Sequence, residues 1–188
     1  MAEYKKTGTC KILIVTGCMA QRYKEEITEE IPEVDAVLGT TSYGDIVKAL
    51  NEAEAGHVFR EFKDINALPE DSGRRVITTG GHFGYLKIAE GCDKHCTYCI
   101  IPSLRGKFRS VPEERLLKQA EYMASQGVRE LILVAQETTV YGTDLYGKKT
   151  LHILLKKLCQ IKGIRWIRVL YCCLLYTSPS PRDGLLSR

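Results

Sequence analysis

No run of about 18 apolar residues, the length that crosses a bilayer as a helix, occurs in the chain. The N-terminal stretch MAEYKKTGTCKILIV lacks the long apolar core and small-residue cleavage site of a secretory leader. These two absences argue against a membrane-bound or exported chain and point to the cytoplasm. A strong charge excess is also missing: 27 Lys and Arg against 23 Asp and Glu leave a net charge of +4. Nucleic-acid binders usually concentrate far more positive charge on one face, so this balance permits an acidic or ribonucleoprotein partner without arguing for one.

What is present is a chain of 188 residues, 44% hydrophobic and 27% charged, long enough for one core or two small domains. It also holds eight cysteines. A reducing cytosol disfavours a disulfide framework, so clustered cysteines there read as metal ligands or catalytic groups.

The order of apolar and polar segments gives an α/β chain. KILIVTG is a continuous apolar run of the kind buried on both faces of a parallel sheet, QRYKEEITEEI is polar and helix-prone, and DAVLGT repeats the strand signal. TSYGDIVKALNEAEAG has Ser42 and Asp45 at capping-box spacing, Ile46, Val47, Leu50 and Ala53 on one face, and Gly56 as the stop. Residues 61–78 read as a linker, polar and broken by Pro69 and Gly73. The second half repeats the grammar. HFGYLKIAEG is a strand running into a cysteine-rich loop, and SVPEERLLKQAEYMASQG is a helix with Ser110 and Glu113 as its capping box and Leu116, Leu117, Ala120 and Met123 as its buried stripe. RELILVAQE, TLHILLKKLCQIKG and IRWIRVLY complete a βαβαβ pattern, with Cys159 expected as a buried helix thiol. In parallel α/β folds the C-terminal ends of the strands are where active sites are built.

The loop after the first of these strands is EGCDKHCTYCIIPSLRG, which places Cys92, Cys96 and Cys99 in a CxxxCxxC spacing. Structural zinc and ordinary 4Fe-4S clusters take four protein ligands, so three thiols leave one metal position open. A zinc knuckle that recruits His95 is the alternative, although such sites usually sit in small modules folded by the metal rather than on a loop leaving a buried strand. An open iron that chelates the amino and carboxylate groups of a cofactor fits the spacing better.

GCDKHCTYC resembles the signature of radical S-adenosylmethionine (SAM) enzymes, and its frame YLKIAEGCDKHCTYCIIPSLRGKFRS is similar to their methylthiotransferase branch. HFGYLKIAEGCD, LILVAQETTVYGTDLYG and WIRVLYC look most like the members that modify a ribosomal protein; tRNA-modifying members are the alternative. The resemblance implies an open parallel-sheet N-terminal domain over residues 1–60 and a truncated radical SAM core, a partial TIM-like α/β barrel, over residues 79–172. It implies that Cys92, Cys96 and Cys99 hold a 4Fe-4S cluster whose free iron binds S-adenosylmethionine for one-electron cleavage. Tyr98 would lie against the adenine, and Gln136 and Glu137 near the cofactor's amino group. Arg105, Lys107 and Arg109 form a basic run that would meet a carboxylate or substrate. The acceptor implied is the β-carbon of an aspartate in small-subunit ribosomal protein twelve, with a flavodoxin or ferredoxin as electron donor.

IVTGCMAQRY resembles the segment that supplies the third ligand of the family's auxiliary 4Fe-4S cluster, and Cys18 matches that ligand. No residue matches the other two, Cys10 being out of motif, so the chain is expected to begin inside that domain and to be inactive alone. Family members continue into further barrel units and a C-terminal domain suited to RNA contact. Here YCCLLYTSPSPRDGLLSR follows instead, and residues 173–188 resemble translated adapter read-through.

Overall fold

The computed structural model describes residues 1–68 and 76–172; part of the expected linker and the whole expected tail lie outside them. In chain order the first elements are α1 (Glu3–Thr7), β1 (Ile14–Thr16), α2 (Cys18–Tyr23), α3 (Glu26–Glu30), β2 (Ala36–Leu38), α4 (Ile46–Glu54) and β3 (Phe59–Glu61). Next come β4 (Phe83–Lys87), β5 (Ala89–Glu90), α5 (Ile101–Arg105), β6 (Arg109–Ser110) and α6 (Glu113–Ser125). The last are β7 (Glu130–Val134), α7 (Thr143–Tyr146), α8 (Leu151–Leu158) and β8 (Trp166–Val169). The chain is therefore α/β, and it forms two compact units, Met1–Val76 with Glu90–Arg109, and Ile77–Ala89 with Ser110–Arg188. No helix among the described residues is long and apolar enough to cross a membrane.

In the first unit β1, β2 and β3 form a parallel sheet in that order, with Ile14 opposite Ala36 and Ala36 opposite Phe59. The central strand is fully buried because its three residues serve two cores. Val37 packs on one face with Ala20 and Val34, while Ala36 and Leu38 pack on the other with Ala49. Burial on both faces, expected of the KILIVTG run, is instead met by this central strand; β1 from KILIVTG lies at the edge of the sheet, with Ile14 and Val15 half-buried and Thr16 exposed, because only one neighbouring strand covers it.

Two local readings change. The QRYKEEITEEI segment divides into α2 and α3, because Lys24 between them takes a left-handed φ of 40°. Ser42 does not cap α4: it is buried, its Oγ accepts the backbone N–H of Lys63 at 2.9 Å, and a 3₁₀ turn over Tyr43–Asp45 intervenes. The buried residue of α4 is Ala49, while Val47 and Leu50 remain exposed.

The second unit is built on a parallel sheet in the order β4, β7, β8, with Phe83 opposite Glu130 and Glu130 opposite Trp166. Its core gathers Leu86, Leu131 and Leu133 from the strands, Leu116, Ala120 and Met123 from α6, and Leu154 and Leu158 from α8, all essentially inaccessible. A Cβ at Gly84 would lie 2.3 Å from Met123 Cε, so the missing side chain admits α6 close to the strand. Ser110 does not cap α6 either. Its hydroxyl donates to Asp144 Oδ1 at 2.6 Å and accepts the Gly142 N–H at 2.9 Å. Cys159 caps the end of α8 and is exposed rather than buried.

Candidate functional site

The three clustered cysteines lie on an arm that leaves β5 and returns as β6, with α5 in its descending limb. Gly91 opens the arm with a φ of 69°, and a Cβ there would stand 2.1 Å from the carbonyl oxygen of Lys107. Only glycine lets the two limbs approach so closely. The base is tied by Cys92 N–H donating to Gly106 O at 3.2 Å and Phe108 N–H donating to Asp93 Oδ1 at 3.0 Å. Higher up, Cys99 N–H donates to Cys96 O at 2.9 Å, forming a turn that carries the two outer cysteines.

All three thiols are free, with Cys92 and Cys99 half-buried and Cys96 exposed. Cys92 lines a cleft of about 470 Å³ together with Asp93, His95, Pro102, Asn66 and Lys107. Tyr98 is 92% exposed, so it takes no part in core packing. Among the described residues no three His, Cys, Asp or Glu side chains are already gathered where they could hold a metal ion.

Cys18 sits in the same unit, as the first residue of α2 after Gly17, whose φ is 94°. Its sulfur accepts the Arg105 Nε–H at 3.2 Å, and Arg105 also meets the Glu90 carboxylate at 3.6 Å. Of the basic run, Arg105 thus meets a carboxylate, one that belongs to the protein, while Arg109 donates to the backbone carbonyls of Lys107 and Arg105. Cys10 points elsewhere, its thiol donating to the Ile12 carbonyl at 3.4 Å.

Gln136 and Glu137 follow β7 in the other unit. Glu137 is 2% exposed, and its Oε1 accepts both the N–H and the hydroxyl of Thr139. Gln136 Oε1 is buried with no hydrogen-bond partner among the described residues. A buried acceptor without a donor is costly, so this oxygen has room for one further hydrogen-bond donor.

Residues 86–181, just over half of the chain, match the model of the radical SAM superfamily. The chain belongs to that superfamily. Residues 1–39 match a second model, described as uncharacterized protein family UPF0004. The radical SAM chain is 63% identical to ribosomal protein uS12 methylthiotransferase RimO of Lachnoclostridium phytofermentans, over 92% of its own length and 39% of the relative's. It is 52% identical to the RimO proteins of Clostridium botulinum and Clostridioides difficile, over 92% and 90% of its length and 39% and 38% of theirs. It therefore spans about two fifths of the length of the curated relatives it matches.

The donor chemistry fits the groups that radical SAM membership implies. Three free thiols on a partly exposed arm suit an iron-sulfur cluster, since no core packing has to break for the sulfurs to be used. The orphaned Gln136 oxygen suits an ammonium donor.

The spacing of Cys92, Cys96 and Cys99 was readable from sequence, whereas the supports of their arm were not. Thr40 donates its hydroxyl to Leu104 O at 2.9 Å, and Asn66 Oδ1 accepts the Lys107 N–H at 3.0 Å. No local pattern marks either residue.

Proposed function

We propose that this chain is part of a radical SAM methylthiotransferase that attaches a methylthio group to the β-carbon of an aspartate in small-subunit ribosomal protein uS12. The observation that supports it most is the 63% identity to a uS12 methylthiotransferase over 92% of the chain. On this reading residues 1–60 belong to the N-terminal methylthiotransferase domain, 61–78 to a linker and 79–172 to a partial α/β barrel. The compartment is the cytoplasm, and the electron source a flavodoxin or ferredoxin.

Cys92, Cys96 and Cys99 would hold a 4Fe-4S cluster, and Cys18 would contribute to the auxiliary cluster of the longer relatives. When bound, the cluster and S-adenosylmethionine supply one-electron chemistry that generates a carbon radical, which ordinary acid-base side chains cannot do. The residues of the chain supply the rest. The glycine at 91 keeps the limbs of the arm in contact, so that the three thiols are offered on one short loop. Cys92, Cys96 and Cys99 would be the residues that hold the cluster, and binding it would couple to ordering of the arm that carries them. Tyr98, exposed on the same arm, offers its ring to the adenine. Gln136 and Glu137 would contact the cofactor's amino group; within the chain the Glu137 carboxylate also accepts the N–H of Thr139 in the turn after β7.

Anaerobic reconstitution with iron and sulfide tests the reading. The expected result is about four irons per chain for the three-thiolate site, with an electron paramagnetic resonance signal that changes when S-adenosylmethionine is added. Uptake of zinc alone would defeat it. In the longer relatives, whether a ribosomal protein or an RNA gains the mass of the methylthio group separates the uS12 assignment from a tRNA one.

A further inference from the structure

Arg105 ends α5, and its guanidinium faces two acceptors at once: Nε–H donates to Cys18 Sγ at 3.2 Å, and Nη1 lies 3.6 Å from Glu90 Oε2. Glu90 ends β5, two residues before Cys92, and its side chain is 6% exposed. Withdrawing a carboxylate from water is expensive unless a cation or donors compensate it. A guanidinium can serve two acceptors in fixed directions, whereas the lysine ammonium is a point charge on a flexible stem. The surroundings hold α5 in place for this. The carbonyl of Leu104 accepts the Thr40 hydroxyl at 2.9 Å in a buried contact, and the N–H of Lys107 donates to Asn66 Oδ1 at 3.0 Å. Arg105 and Cys18 are 87 residues apart in the chain, so the contact is a product of the fold rather than of neighbouring sequence.

We propose that Arg105 is a positioning residue, which fixes Cys18 against the arm bearing Cys92, Cys96 and Cys99 by holding the Cys18 sulfur and the Glu90 carboxylate on one guanidinium. Its purpose rests on the methylthiotransferase reading: a group carried at a centre on Cys18 and the one-electron chemistry supplied at the arm would have to reach the same substrate carbon, which requires Cys18 and the arm at a set distance. The fixing itself is a property of the metal-free protein.

Hydrogen–deuterium exchange of the amides of residues 92–108 in the metal-free chain tests it through a double-mutant cycle. Arg105→Met is expected to speed exchange about tenfold, as two charge-assisted contacts are lost, and to do clearly less in a Cys18→Ala background. Arg105→Lys keeps the charge and the fold. It is expected to exchange about threefold faster than the unaltered chain when Cys18 is present and at the same rate as Arg105 when Cys18 is Ala, because only the sulfur contact needs the second donor. Unchanged exchange in both variants overturns the proposal. So does an equal effect of Arg105→Met with and without Cys18, which would assign the role to Glu90 alone. Iron bound per chain after reconstitution is the separate readout: no uptake by the unaltered chain defeats the methylthiotransferase reading, while the exchange cycle still decides Arg105.

Discussion

Replacing Gly91 by Ala isolates what holds the cysteine arm closed. Gly91 has a φ of 69°, and an added Cβ would meet Lys107 O at 2.1 Å and Gly106 O at 2.5 Å, both backbone atoms with no rotamer to swing away. Gly56, in the same unit, has a φ of 83° and nothing within 4 Å of the same added atom. Both substitutions incur left-handed strain of about 1–2 kcal/mol, offset by about 0.4–1 kcal/mol from the stiffer unfolded chain. Gly56→Ala is thus expected to cost about 1 kcal/mol.

Gly91→Ala must in addition push the limbs apart by roughly 1 Å before the carbon and oxygen stop overlapping. That movement breaks both the bond from Cys92 N–H to Gly106 O at 3.2 Å and the one from Phe108 N–H to Asp93 Oδ1 at 3.0 Å. At about 1 kcal/mol for each lost bond and a further 1 kcal/mol for residual overlap, the difference between the variants is about 3 kcal/mol. For a chain of this size that is a melting temperature about 6–12 °C lower than that of Gly56→Ala. Thermal unfolding followed by circular dichroism measures it, and iron uptake on the same samples reports whether the arm still presents its thiols. If Gly91→Ala melts within about 2 °C of Gly56→Ala, the two limbs are not held in contact and the account of the arm fails.

Tyr141 is fully buried and donates its hydroxyl to the Val111 carbonyl at 2.8 Å, so Tyr141→Phe is expected to lower stability by about 1–2 kcal/mol in a denaturant titration. Burial, reinforced by the charges of Tyr146, Glu113 and Asp144, pushes the Tyr141 phenol well above its ordinary range. The folded state thus favours the neutral form, so the advantage of Tyr over Phe holds below about pH 10 and shrinks as pH rises beyond it; a gap independent of pH would refute this. Asp35 behaves oppositely. Burial raises its carboxyl, but the Lys5 ammonium at 2.7 Å and the Leu13 N–H at 2.7 Å outweigh that and hold it below the usual range. Their stabilisation is present above the unfolded value of about 4 and is lost as pH falls below it, so Lys5→Met should cost about 1 kcal/mol at neutral pH and progressively less in acid. A cost that grows on acidification would contradict the pairing.

The strands were legible because their burial is written locally. AVL in β2 and LILV in β7 are apolar without a break, and each proves to be the middle strand of a parallel sheet. The helix starts misled for one shared reason. Ser42 and Ser110 both stand at capping-box spacing, yet each is fully buried, and their hydroxyls go to partners 21 and 34 residues away. Capping motifs compete with any tertiary partner for the same oxygen, and a fully buried serine is held by the partner that covers it. The stripe of α4 failed in the related way. Its apolar side chains have helical spacing, but a three-stranded sheet offers that helix contact enough to bury only Ala49 completely.

The site divides along the same line. The thiols could be found because cluster ligands on one loop must be close in sequence, and eight positions hold all three. What fixes them could not, since Cys18, Thr40 and Asn66 reach the arm across 87, 64 and 41 residues. Such contacts leave no period and no motif in a single sequence. Of the basic run that sequence did flag, Arg105 turns its charge inward, onto Glu90 and Cys18, and so acts on the protein's own architecture. The ligand spacing therefore says which chemistry the loop can host, and the contacts from distant residues decide whether the loop is held where that chemistry could be used.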